Sequence, residues 1–263
     1  MARTIISQFR QAVLIAGLAL AAPMAQAAAL VAVSGSWVST NDDDGTYGLN
    51  GLGTDQIFWG SPATSRGQSG YEFQSATQSG GFDIEAGTQF DLGTFIHHNR
   101  TIWTRGRHTD GMASSIRGAQ LKVDYALDFG GGDLRRYSSV FDFLHDETRN
   151  RSNPCANGEA NGVGVNSNGC ADKVTLTRND DQSDSFVIDG LRYQLDISGL
   201  LGDTPFWTAE DAENPLELVG LFTTEAVPPP PVPPPPTPVP LPAPAGALVL
   251  ALLGLGLVGR RRG

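Results

Sequence analysis

From Leu121 to Phe129, apolar and polar positions alternate: Leu121, Val123, Tyr125, Leu127 and Phe129 against Lys122, Asp124, Ala126 and Asp128. The same period of two runs from Leu191 to Ser198, with Leu191, Tyr193, Leu195 and Ile197 on one side and Arg192, Gln194, Asp196 and Ser198 on the other. Val174 with Leu176, Phe186 with Ile188, and Leu218 with Gly220 and Phe222 repeat it. A period of two places one face of a strand in a core and the other in water, as in antiparallel sheets. Gly130-Gly131-Gly132 and Asp189-Gly190 break the runs where turns are needed. No helical stripe of about ten residues or more interrupts them, and no fixed-period repeat is visible. The pattern predicts an all-β body, an antiparallel β-sandwich that admits a jelly-roll arrangement.

Both ends break this pattern. Arg3 and Arg10 precede a nearly continuous apolar run to Ala22, and Ala25-Gln26-Ala27 follows. Residues 1–27 thus read as a secretory signal helix cleaved after Ala27. At the other end, Ala243 to Val258 holds no charge, and Arg260, Arg261 and Arg262 follow. Residues 243–259 are expected to form a short transmembrane helix whose arginines stay on the cytoplasmic side. Twelve of the 17 prolines fall between Val227 and Pro244. Such a run favours extended polyproline II and makes 227–240 a semi-rigid linker. The expected body is therefore residues 28–226.

That body holds all 28 acidic residues and 13 basic ones, a formal charge of −15. An acidic surface argues against nucleic acid and anionic lipid as partners. The two cysteines, Cys155 and Cys170, both lie in the exported part and are expected to pair. The intervening Gly-, Asn- and Ser-rich segment has little to bury, so the clasp is expected to be what orders it.

Val239-Pro240-Leu241-Pro242-Ala243, a short span and the triple arginine resemble the VPLPA variety of the PEP-CTERM sorting signal. The resemblance covers residues 239–263. It implies a Gram-negative bacterium that makes exopolysaccharide, and an exosortase-like transpeptidase that cuts near the short motif and discards the span. The precursor would be tethered to the inner membrane, with signal peptidase and exosortase as its processing partners. The mature chain would reside at the cell surface or outside it.

A second resemblance lies in the body. Phe90, Leu92, Gly93, Phe95, His97 and Asn99 match the F-x-L-G-x-F-T-H-x-N signature of the THxN group, which overlaps the choice-of-anchor K domain. Ile96 stands where that pattern has Thr. Trp59-Gly60, the paired cysteines, and Thr208-Ala209-Glu210 with Asn214 fit the group more loosely. The resemblance implies a surface domain with interchangeable anchors and no enzymatic activity.

Read as chemistry, Phe95, His97 and Asn99 share one face of a strand, with Gly93 at a bulge. His97 and Asn99 are expected to form a structural polar network that fixes the turn after them. His97 and His98 face opposite sides and cannot serve one ion, and His108 or His145 could join only through folding. Asp42, Asp43 and Asp44 offer a flexible oxygen-rich turn suited to Ca²⁺. No other cofactor and no catalytic group is expected. The leading expectation is a non-enzymatic, exported surface or exopolysaccharide-matrix protein. A carbohydrate-binding or Ca²⁺-dependent adhesive module, with Trp37, Trp59, Trp103 or Trp207 stacking on sugars, is the second. A glycan-acting hydrolase is the third.

Overall fold

A computed structural model describes residues 28–41, 45–76, 82–103, 111–198 and 205–228. The signal segment, Asp42 to Asp44, His108, the sorting motif Val239 to Ala243, the expected membrane helix and Arg260 to Arg262 lie outside the described residues. The chain divides into two units, Met1–Val227 and Pro228–Gly263. The first is an all-β body of antiparallel sheets. Helix among its described residues is confined to two 3₁₀ turns, Gly164–Asn166 and Asp180–Gln182.

Among the described residues it has fourteen strands: β1 (Ala29–Thr40), β2 (Gln56–Trp59), β3 (Ser61–Pro62), β4 (Ser69–Ser75), β5 (Phe82–Asp83), β6 (Gln89–Asn99), β7 (Ile102–Trp103), β8 (Gly118–Asp128), β9 (Leu134–Asp146), β10 (Asp172–Asn179), β11 (Phe186–Ile188), β12 (Leu191–Ser198), β13 (Phe206–Thr208) and β14 (Ala212–Ala226). One six-stranded sheet runs β13-β10-β9-β8-β1-β5 and the other β11-β12-β14-β6-β4-β2, with β3 and β7 forming a small ribbon. Rings from the two sheets meet in the core. Trp37 of β1 packs on Tyr71 of β4 with centroids 5.2 Å apart, and Phe95 of β6 on Phe143 of β9 at 4.9 Å. Each such side chain contributes about 1.5–3 kcal/mol by leaving water.

The alternation is realised most fully in β8, where Leu121, Val123, Tyr125 and Leu127 are buried. In β12 it holds at Leu195 and Ile197 but not at the ends. Leu191 is exposed, and Asp196, expected on the wet face, is buried. Arg178 reaches across from β10 and its Nη1 donates to Asp196 Oδ2 at 3.1 Å, so the guanidinium covers the carboxylate.

Gly93 sits at a bulge, as its place in β6 suggests. Leu218 of β14 pairs with Gly93, but Val219 pairs with Asp91, leaving Leu92 as the extra residue. The backbone there has φ +147°, where a side chain is strained, and a Cβ would run into the carbonyl oxygen of Gln74.

Cys155 and Cys170 form the expected disulfide, with Cα atoms 5.3 Å apart. The segment between them is held by more than the clasp. Asn166 is fully buried and its Oδ1 accepts the Ala171 N–H at 2.9 Å. Asn161 Nδ2 donates to the carbonyls of Asn150 at 2.7 Å and Ser152 at 3.0 Å. Asparagine side chains therefore do here what apolar burial does elsewhere, pairing backbone groups that the loop cannot pair itself.

Candidate functional site

β6 ends with its motif residues alternating as expected. Phe95, His97 and Asn99 are buried, while His98 lies on the other face. There its Nε2 meets Glu72 Oε2 at 3.0 Å. Ser69 helps to hold the turn that follows, its Oγ donating to the Arg100 carbonyl at 2.8 Å. His97 and Asn99 reach the opposite sheet. Asn99 Nδ2 donates to the Thr208 carbonyl at 3.1 Å, and His97 Nδ1 lies 2.8 Å from Thr208 Oγ1. The register explains this. At their far ends β6, β9, β10 and β13 converge, and polar groups with no water must find partners across the gap.

Around His97 the fold gathers Tyr71 from β4, His145 from β9 and Asp172 from the start of β10. Tyr71 Oη lies 2.6 Å from His145 Nδ1. The two imidazoles stand perpendicular, centroids 5.2 Å apart, and Trp59 stacks on His97 at 6.1 Å. Asp172 is fully buried, and its Oδ1 accepts the Thr148 N–H at 2.7 Å. Ligand atoms of His97, His145 and Asp172 all lie within 4.8 Å of one another.

Two carboxyls extend the cluster. Glu147 Oε2 is 3.4 Å from His145 Nε2 and accepts from Ser115 Oγ at 3.0 Å. Glu210 is fully buried, with Thr101 Oγ1 donating to its Oε1 at 2.9 Å. Beyond Glu147 opens a groove of about 980 Å³, lined by Met112, Arg117, Arg149 and Arg151 among others.

Electrostatics follow from burial. Loss of water pushes the Glu147 carboxyl up to about 8, helped by the charge of Glu210. Burial and then Glu147 drive Asp172 well above the ordinary carboxylate range. Burial also raises Glu210. It lowers His97 well below the usual imidazole value, with the positive charges of His145, His98 and Arg100 adding to it. His145 is lowered by burial against the opposing pull of Asp172. The cluster is thus biased towards neutral forms, the response expected of charged groups packed without water.

No family model matches this chain, and no curated protein matches it. The cluster is therefore read on its own geometry.

The sequence singles out His97 and Asn99 and names His145, but it does not bring Asp172, Tyr71 or Glu147 to them. One local signal was present: His145 and Glu147 are two apart, a spacing that shares a face in extended chain. Asp172 carries no such signal beyond its place two residues after Cys170. Of the four tryptophans, Trp37 and Trp59 are fully buried and cannot stack on a sugar, while Trp103 is exposed.

Proposed function

We propose that this chain is an exported, exosortase-sorted surface or exopolysaccharide-matrix protein whose body is a binding or structural module rather than a catalyst. The observation that carries the reading is the Cys155–Cys170 disulfide. Disulfides of this kind persist in oxidising compartments outside the cytoplasm. The signal-like start, the proline-rich linker and the Val239-Pro240-Leu241-Pro242-Ala243 motif with Arg260 to Arg262 support the same route. The sandwich, read as jelly-roll-like, supports a surface module that a stalk presents. Mass spectrometry of the mature protein tests the reading. The expected species begins after Ala27 and ends near Pro240. A wild-type chain that retains Arg260 to Arg262 would overturn the sorting claim.

A second reading is a carbohydrate-binding module. The groove beside Glu147 favours it, because Arg117, Arg149 and Arg151 line it on an otherwise acidic body. Guanidinium groups recognise carboxylates in a planar, two-pronged manner, which suits an anionic glycan. Binding of the mature chain to isolated acidic exopolysaccharide, weakened by Arg149→Ala with Arg151→Ala, is the expected result. The hydrolase reading finds less support, since Asp172 and Glu210 are fully buried and are not presented to a glycan in that groove.

A further inference from the structure

Thr208 determines the state of His97. Its hydroxyl has one proton, and Oγ1 donates it to the Asp172 carbonyl at 3.2 Å. Towards His97 it can then only accept, so Nδ1 of that imidazole carries the hydrogen. The other nitrogen, Nε2, is left with a bare lone pair. It is buried and has no hydrogen-bond partner. Asp172 Oδ2 is in the same position, buried and unpartnered. Two unpaired polar atoms this deeply buried are costly in a protein interior. No donor among the described residues reaches either atom, and a cation would satisfy both.

We propose that His97, His145 and Asp172 form a binding site for a divalent first-row transition-metal ion. The donor set decides the class. Two imidazole nitrogens and a carboxylate suit zinc and its neighbours, whereas Ca²⁺ prefers six to eight oxygens. The three ligand atoms, within 4.8 Å of one another, need only small side-chain rotations to reach the spacing of about 3.4 Å set by metal–ligand bonds of about 2.0–2.1 Å. Each histidine is also braced as metal ligands usually are. Nδ1 of His97 is fixed by Thr208, and Nδ1 of His145 by Tyr71, which leaves the Nε2 atoms for the ion. Glu147, 3.4 Å from His145 Nε2, stands on the groove side as a fourth donor. The site uses none of Asp42, Asp43 and Asp44.

The test uses the full secreted chain, stripped with a chelator and titrated with Zn²⁺ by calorimetry and Co²⁺ by absorption spectroscopy. One equivalent per chain is expected, with the spectrum of a nitrogen- and oxygen-ligated ion. His97→Gln and Asp172→Asn are expected to abolish uptake, and Tyr71→Phe to weaken it about 10–100-fold. His98→Gln, on the opposite face, is expected to leave it unchanged. A wild-type chain that takes up neither ion overturns the proposal without recourse to any variant. So does uptake that survives in the His97→Gln, Asp172→Asn double variant.

Discussion

Tyr71 and His145 join the two sheets through a single polar contact, the phenol oxygen 2.6 Å from Nδ1 with both side chains fully enclosed by protein. Burial, together with the negative charges of Asp172 and Glu147, holds the phenol proton far above its ordinary range. The phenol therefore stays neutral. Removing it would leave a buried ring nitrogen without a partner. Tyr71→Phe in the metal-free chain is expected to cost about 1–3 kcal/mol, the penalty of an unsatisfied buried polar group. Urea unfolding of the two proteins measures it. An unchanged midpoint would show that Nδ1 is satisfied elsewhere.

Reduction of Cys155–Cys170 should lower stability by about 3 kcal/mol, the chain-entropy value for a loop of about 15 residues. Asn166→Ala should cost about 1–3 kcal/mol with the disulfide still closed, because the Ala171 N–H and the Asn157 side chain lose a buried partner. The loop therefore carries two independent restraints. Unfolding curves with and without reductant, for both proteins, separate them. If Asn166→Ala matters only in the reduced chain, the clasp alone orders the loop.

Gly93→Ala is expected to be among the more damaging single substitutions. The bulge fixes φ +147° there, and the new methyl would meet a main-chain oxygen of β4 rather than a side chain that can swing away. The dihedral strain alone is about 1–3 kcal/mol, and displacement of the ladder adds to it. Relief by moving β4 would unseat Phe73 and Tyr71 from the core. The yield of folded protein and its urea midpoint report the loss. A variant as stable as the wild type would mean that the bulge can migrate along β6.

The strands were legible because burial on one face repeats every second residue, and β8 shows that signal undiluted from Leu121 to Tyr125, before buried Ala126 interrupts it. It failed where a long side chain changed who is wet. Arg178 covers Asp196, and nothing in the period of β12 announces a partner on β10. The candidate site was legible only in separate pieces, with His145 and Thr208 named but not brought to His97. His97 and Asn99 stood out through alternation and a motif, but their partners come from Thr208, His145 and Asp172. Those positions are separated by tens of residues, and the sheet order alone brings them together. The polar composition of the disulfide loop points to the clasp alone and does not announce the part its asparagines play. Their role lies in which carbonyl each amide reaches.

Asp196 also sets a pH dependence whose sign can be worked out. Burial raises its carboxyl above the ordinary value of 3.8, outweighing the Arg178 guanidinium and the Ile197 N–H, which both favour the charged form. A raised value in the fold means that the native state holds this proton more tightly than the unfolded chain does. Below 3.8 both states are protonated and the contribution is fully present. As pH rises past that point the unfolded chain releases its proton first, so native stability falls until the native carboxyl ionises as well. Asp196→Asn has no proton to release. The unfolding free energy of the wild type, minus that of Asp196→Asn, should therefore decline with pH across the window just above 3.8 and be flat on either side. Urea denaturation at a series of pH values, with the two proteins side by side, measures this difference. A difference that instead grows with pH would show that attraction to Arg178 dominates over burial, and that the carboxylate is stabilised by its pairing.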